Sequence, residues 1–307
     1  MSVYCYPAGH DRPDLSRRGT STSRQPTWLT RRGRTLIMLL AVATLVFATA
    51  LLCLPSTSPN DGRQDTTSNA VPVEVQAPVI PARAVPRLDG LTAATTFSTV
   101  AGAPADVNGD QAPSGKIVHP DRAVPVYSQP GGTAIAVLPA QQVSSDTWVP
   151  VIADEPGWVQ VLLPSRPNSS TGWLSTQDGS LAIAQTSFRI VIDRARFRLS
   201  LYRDDALIGS WTVGVGKAQA PTPAGRTFVL ASIQDSHQSF SPVILPLGIH
   251  SASHETFGGG PGTTGIHGWP SPAVFGQPSS DGCIRVPADA LHVLATDIPL
   301  GSPVLIT

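Results

Sequence analysis

Apolar residues run uninterrupted by charge over one stretch only, Thr35 to Leu54, and elsewhere recur in short bursts cut by proline and glycine. At about 1.5 Å rise per residue, a helix of that length reaches about 30 Å, the hydrocarbon thickness of a bilayer, so the stretch reads as a membrane span. From Lys116 the texture becomes β-like. Val124–Tyr127, Ala134–Leu138, Trp148–Ile152, Trp158–Leu163 and Gly172–Leu174 are short strand candidates, and Gln129-Pro130-Gly131-Gly132 and Arg166-Pro167-Asn168-Ser169 are turn signals between them.

Five short strands packed so closely predict a small SH3-like barrel over residues 116–183. A second β-rich block fills 186–307. There Phe188–Ile192 turns at Asp193 into Arg196–Tyr202, where Phe197, Leu199 and Leu201 alternate with polar partners, and Arg203-Asp204-Asp205 turns the chain again. Trp211–Val215, Thr227–Ala231, Val243–Leu245 and Val304–Ile306 complete the strand candidates. One short helix is expected over Pro287–Ala295, with proline at its opening, Asp289 in its first turn and Leu291 and Leu294 on one face. The expected fold class is mainly β: an SH3-like barrel followed by a β-rich domain, preceded by one N-terminal transmembrane helix.

With 307 residues, 41% hydrophobic and 14% charged, the chain has the material for a sizeable core. Its net charge of zero hides an asymmetry: residues 1–34 hold seven Arg against two Asp, leaving fourteen Lys and Arg against nineteen Asp and Glu in the rest. Arg31, Arg32 and Arg34 abut the apolar stretch, which places the basic segment 1–34 in the cytoplasm, the span at 35–54 and everything from Pro55 outside. Ala48-Thr49-Ala50 supports a second reading, a cleaved signal peptide and a secreted body; both readings export the body. An acidic body without a basic stripe argues against nucleic acid as a partner. Residues 55–115, with eight Pro among Ser, Thr, Asn, Ala and Val, are expected to be an extended, mostly unstructured tether. Of three cysteines, Cys5 falls inside, Cys53 in the span and Cys283 in the exported body, so no disulfide can form within that body. Trp148, Trp158 and Trp173 admit two roles, a wall-binding face or the barrel's own core.

The chemistry concentrates in Gly265-Ile266-His267-Gly268 and in Ser280-Asp281-Gly282-Cys283-Ile284-Arg285, whose cysteine stands sixteen residues after the histidine. An ordinary thiol, with pKa about 8.5, is only slightly ionised near neutrality and needs a base to become a nucleophile; His267 is the candidate. Gly282 lets successive backbone N–H groups converge where an oxyanion would develop, so Gly282 and Cys283 are the expected donors.

These residues resemble the catalytic domain of the L,D-transpeptidases of bacterial cell walls, whose hallmark is a His followed at this distance by Ser/Thr-His-Gly-Cys-x-Arg. The resemblance covers about 186–307 and extends to Thr222-Pro223-Ala224-Gly225 and to the glycine-rich Phe257–Gly262. The preceding barrel, with Gly157-Trp158-Val159 and Arg166-Pro167-Asn168, is similar to the small domain that often precedes it in actinobacterial members. The resemblance implies Cys283 as nucleophile, His267 as general base and acid, and the Gly268 carbonyl as the group that orients the imidazole. It makes Ser280 and Arg285 supporting positions, Ser280 bracing the loop and Arg285 holding local architecture or a substrate carboxylate. It further implies acyl transfer between peptidoglycan stem peptides, no cofactor or metal, and trapping by carbapenem β-lactams. A carboxypeptidase or a protein-to-wall ligase would use the same parts.

Asp281 departs from the family, standing where a second His is usual; a carboxylate aimed at the sulfur would oppose the thiolate, so it is expected to face away or to bond the loop. Trp269-Pro270 is expected to shape the pocket or to plug its surface. His250 and His254 lack the partners of a metal site, His237 and His254 are candidates for peptide contact, and His119 and His292 read as ordinary. A sortase would need a different spacing of Cys, His and Arg. A non-catalytic wall-binding protein is the remaining alternative.

Overall fold

The computed structural model describes residues 77–234, 238–257 and 259–307. The basic segment, the predicted span at Thr35–Leu54, the alternative cleavage site, the start of the tether, His237 and Gly258 lie outside the described residues. Among the described residues no helix is long and apolar enough to cross a membrane.

The first half is built from β1 (Lys116–Pro120), β2 (Val124–Tyr127), β3 (Ala134–Leu138), β4 (Gln141–Gln142), β5 (Ser145–Asp146), β6 (Val149–Glu155), β7 (Trp158–Leu162), β8 (Thr171–Ser175) and β9 (Leu181–Gln185). Seven of these form one sheet in the order β3-β2-β8-β7-β6-β1-β9, and β4 and β5 pair separately. Val118, Val126, Leu138, Val149, Val161 and Leu174 fill its core. Trp158 is 1% exposed, meets Tyr127 edge-on at 5.2 Å and donates its indole N–H to the Ile80 carbonyl at 2.7 Å, so this ring is core. Trp148 stacks on His119 at 5.1 Å and, like Trp173, is half-buried.

The second half contains β10 (Phe188–Asp193), β11 (Arg198–Arg203), β12 (Ala206–Thr212), β13 (Val215–Gly216), β14 (Gly225–Phe228), β15 (Ile244–His250), β16 (Thr263–Gly268), β17 (Pro278–Ser280), β18 (Ile284–Val286), α1 (Ala288–Asp297) and β19 (Pro303–Ile306). A five-stranded sheet runs β12-β11-β10-β19-β14, a three-stranded sheet β15-β16-β18, and β13 pairs with β17. Ile190, Ile192, Leu199, Leu201, Leu247, Ile266 and Ile284 share one core with Leu291 and Leu294 of α1, which packs on β16.

Short strands β1, β4, β5, β9, β17 and β18 add to the expected set, and three further differences bear on how the site is positioned. All six residues of β16 are buried, so it shows no alternation, and its two glycines, Gly265 and the terminal Gly268, disguise it further. β12 begins at Ala206 rather than Trp211, because Asp204 and Asp205 take positive φ (45° and 64°) and close a two-residue turn directly after β11. The expected free tether is corrected over 77–115. Ala94, Thr96 and Val100 are buried there, Ala93, Thr99 and Ala105 bridge to Val137, Arg166 and Ser170, and Asp106 pairs with Arg226. A polar, proline-rich composition does not prevent a strap from lying on a folded surface when a few small apolar residues and one buried ion pair fix it.

The halves share more than a covalent link. Phe228 and Leu230 are fully buried in the core of the first sheet. The Arg166 guanidinium donates to the carbonyls of Ser251, His254, Glu255 and Pro261, while the Asn168 amide both donates to His250 O and accepts from His250 N. Residues that read as turn formers thus seat the first sheet against the segment leading into β16.

Candidate active site

β16 and β18 lie side by side in parallel, with Ile266 opposite Ile284, His267 opposite Arg285 and Gly268 opposite Val286. Cys283 stands immediately before β18, two residues from the partner of His267, and both side chains are 3% exposed. Adjacency of these strands therefore brings together the two segments that carry the candidate nucleophile and base.

The imidazole is fixed from three sides. Its Nδ1 lies 2.7 Å from Gly268 O, an atom that only accepts, so Nδ1 carries the proton and Nε2 carries the lone pair. Gly268 N–H donates in turn to Ser241 Oγ at 2.8 Å, and Ser241 Oγ–H to Val243 O at 2.6 Å. A Cβ on Gly268 would stand 3.2 Å from Ser241 Oγ and 3.3 Å from Leu291, so a side chain there would press on both by a few tenths of an ångström. Phe240 meets the imidazole edge-on at 5.0 Å and Trp269 stands 6.0 Å away. Burial lowers the His267 pKa to about 4, with the nearby Arg285 cation acting in the same direction and the Gly268 bond opposing it. The ring is neutral at pH 7.

The loop before β18 is a tight turn closed by Ser280, whose Oγ–H donates to Cys283 O at 2.5 Å while accepting the Gly282 N–H at 3.2 Å. Gly282 has φ +119°, a conformation that side chains resist. Of the expected pair of oxyanion donors, the Gly282 N–H is thus engaged by Ser280 Oγ. Asp281 forms an ion pair with Lys217, Nζ to Oδ1 2.6 Å, and the Lys217 backbone N–H donates to Ser280 O at 2.9 Å. Thr222 Oγ–H donates to Gly282 O at 2.8 Å and its oxygen accepts Gly216 N–H at 2.8 Å.

Arg285 reaches Ser279 O with Nη1 at 2.7 Å and places its guanidinium carbon 3.6 Å from the centre of the Trp269 ring. Burial lowers its pKa, against the pull of Asp281, and its backbone exchanges hydrogen bonds with Gly214. These contacts are architectural. Trp269 is half-buried, tilted against Phe240 at 5.5 Å, and borders a cavity of about 580 Å³ also lined by Pro270, Ser232, Val243 and His292. His250 is fully buried and accounts for itself otherwise than by ligand binding: its Nε2–H is shared between Thr96 O at 2.7 Å and Thr96 Oγ1 at 3.0 Å, and burial lowers its pKa to about 4. His254 packs edge-on to Phe257 at 5.2 Å.

Sequence reasoning missed Lys217, Phe240 and Ser241. Ser241 and Phe240 carry no motif signal, lying 26 and 27 residues before His267, and Lys217 would have been found only by asking what neutralises Asp281.

Residues 187–306 match the family model described as the L,D-transpeptidase catalytic domain. A curated relative, YkuD of Bacillus licheniformis, provisionally named an L,D-transpeptidase, is 31% identical over 122 residues, which cover 39% of this chain and 66% of the relative. The chain thus spans just under two thirds of that relative's length. Among solved structures, an L,D-transpeptidase from Mycobacterium smegmatis aligns at 14% identity over 49% of this chain and 90% of its own, with a TM-score of 0.33. One from Xylanimonas cellulosilytica aligns at 22% identity over 40% and 62%, with a TM-score of 0.31. The assignment of residues 187–306 rests on the sequence match.

Proposed function

With residues 187–306 belonging to the L,D-transpeptidase catalytic domain family, we propose that this chain forms peptidoglycan cross-links by cysteine acyl transfer from tetrapeptide stems. The observation that supports it most is the state of His267: neutral, its Nδ1–H capped by Gly268 O, its Nε2 lone pair available, on the strand beside the segment that carries Cys283.

The chemistry follows from that state. An imidazole kept neutral by burial is a poor stable partner for a preformed thiolate, so the proton leaves Cys283 Sγ for Nε2 as sulfur attacks. The sulfur–carbon bond forms at the carbonyl between the third stem residue and the terminal D-Ala, and the carbonyl electron pair moves onto oxygen. When the oxyanion collapses, the carbon–nitrogen bond breaks, and the departing amine takes the proton back from Nε2. A thioester remains. A side-chain amine of a neighbouring stem attacks it, surrenders a proton to His267, and expels the thiolate, which is reprotonated. Water as acceptor makes the same site a carboxypeptidase, and a protein amine makes it a ligase. No cofactor is required by this sequence of steps.

The proposed setting is the wall side of a cytoplasmic membrane. The uncharged Thr35–Leu54 stretch behind a basic segment supports a single-pass anchor, with signal cleavage as the alternative, and the described strap shortens the reach of the tether.

The test is mass spectrometry on the reduced chain after exposure to a carbapenem. The expected result is one acyl adduct, mapped to Cys283 and lost in Cys283→Ala. A folded, reduced wild type that gives no adduct and no turnover of tetrapeptide, while still binding sacculi, would leave the wall-binding alternative standing.

A further inference from the structure

The three residues before Cys283 are each held from one short segment. Lys217 N–H binds Ser280 O, Lys217 Nζ binds the Asp281 carboxylate, and Thr222 Oγ1 binds Gly282 O. The last bond differs in consequence from the others, because it grips the peptide plane that Gly282 shares with Cys283.

That peptide is trans; among the described residues the cis bond is Arg166–Pro167. In a trans peptide the C=O and N–H point in opposite directions within one rigid plane. A hydroxyl that fixes Gly282 O therefore fixes the direction of the Cys283 N–H. The fixing is needed, since Gly282, at φ +119° and without a side chain, could otherwise let the plane swing. The hydroxyl is itself well fixed: Thr222 is 1% exposed, and its oxygen accepts the Gly216 N–H while its proton goes to Gly282 O. The Gly282 N–H is turned back to Ser280, so of the two donors expected for the oxyanion it is the Cys283 N–H whose direction Thr222 sets.

We infer that Thr222 is a positioning residue that aims the Cys283 N–H at the oxyanion formed when the thiol is acylated. The inference rests on the proposed acyl transfer and adds to it a requirement that the nucleophile alone does not have. It separates two reactions of one sulfur. Acylation by a β-lactam builds negative charge on a carbonyl oxygen and depends on an aimed donor. Alkylation by iodoacetamide displaces iodide at a saturated carbon, builds no such charge there, and depends only on the thiol and its access.

The experiment compares both rates in the full reduced chain for wild type, Thr222→Val, Thr222→Ala and Thr222→Ser, with imipenem as the acylating probe. Thr222→Val is expected to slow acylation about 10- to 100-fold, while iodoacetamide alkylation and its pH profile stay within about twofold. Thr222→Ser, which keeps the hydroxyl, is expected to recover acylation to within about threefold. Thr222→Ala supplies the comparison if the valine does not pack. Unchanged acylation in the hydroxyl-free variants would overturn the inference. So would a parallel fall in both rates, which would assign Thr222 to thiol reactivity or packing. A wild type that is alkylated but never acylated would instead remove the acyl-transfer reading, and this inference with it.

Discussion

Asp281 was expected to keep its charge from the nucleophile, and the structure supplies the means: Lys217 Nζ at 2.6 Å turns a net charge into a dipole. Both side chains are partly exposed, so the effect belongs in reaction rates rather than in folding stability. Lys217→Met, which leaves the carboxylate uncompensated beside the loop, should slow alkylation of Cys283 at pH 7 several-fold. Adding Asp281→Asn should restore most of the rate. Additive effects in that double-mutant cycle, read by alkylation kinetics, would mean that the two side chains act independently. Arg285 is a different case. The motif left open whether it holds architecture or a substrate carboxylate, and its contacts with Ser279 O, the Trp269 ring and the Gly214 backbone all serve the fold around β18.

Among the elements, the strap at 77–115 departs most from what its composition implies. Its firmest attachment is Asp106 to Arg226 at the start of β14, two bonds of 2.5 and 2.6 Å between side chains 2% and 6% exposed. A buried pair of this kind adds little net stability over apolar residues, but removing one partner strands the other charge. Asp106→Ala is therefore expected to destabilise by about 3–5 kcal/mol in urea denaturation, and the double variant Asp106→Leu with Arg226→Met to recover most of the loss. The strand candidates Val124–Tyr127 and Ala134–Leu138 matched their observed bounds, since alternation and turn chemistry are local properties. β16 escaped notice for the opposite reason: a strand covered on both faces has no polar side for a pattern to reveal. It is also the strand that carries His267.

For the whole molecule, the two most deeply buried histidines set an acid limit. His267 and His250 both have pKa values lowered to about 4 by burial, against 6.5 in an unfolded chain. Above pH 6.5 neither state is protonated and no penalty exists. As pH falls from 6.5 toward 4 the unfolded chain takes up protons that the folded chain refuses, so stability declines through that window and levels off below it. Each histidine should contribute about 2 kcal/mol of loss between pH 7 and pH 5. Denaturant melts at those two values should show the drop, and His250→Gln should remove about half of it; a flat profile would contradict the burial argument. His250 also ties Thr96 of the strap and Asn168 of the first sheet to the entrance of the segment before β16, so acid should loosen that junction. By itself the sequence determined the mainly β character, most of the strand sites, and the Cys–His–Arg constellation, because these depend on local periodicity and on residue types at short spacing. Only the tertiary structure decided the tautomer and charge state of His267, the engagement of Gly282 N–H, the Lys217–Asp281 pair and the packing of the strap. Each of those depends on groups distant in sequence meeting where water is excluded, and no local pattern encodes such a meeting.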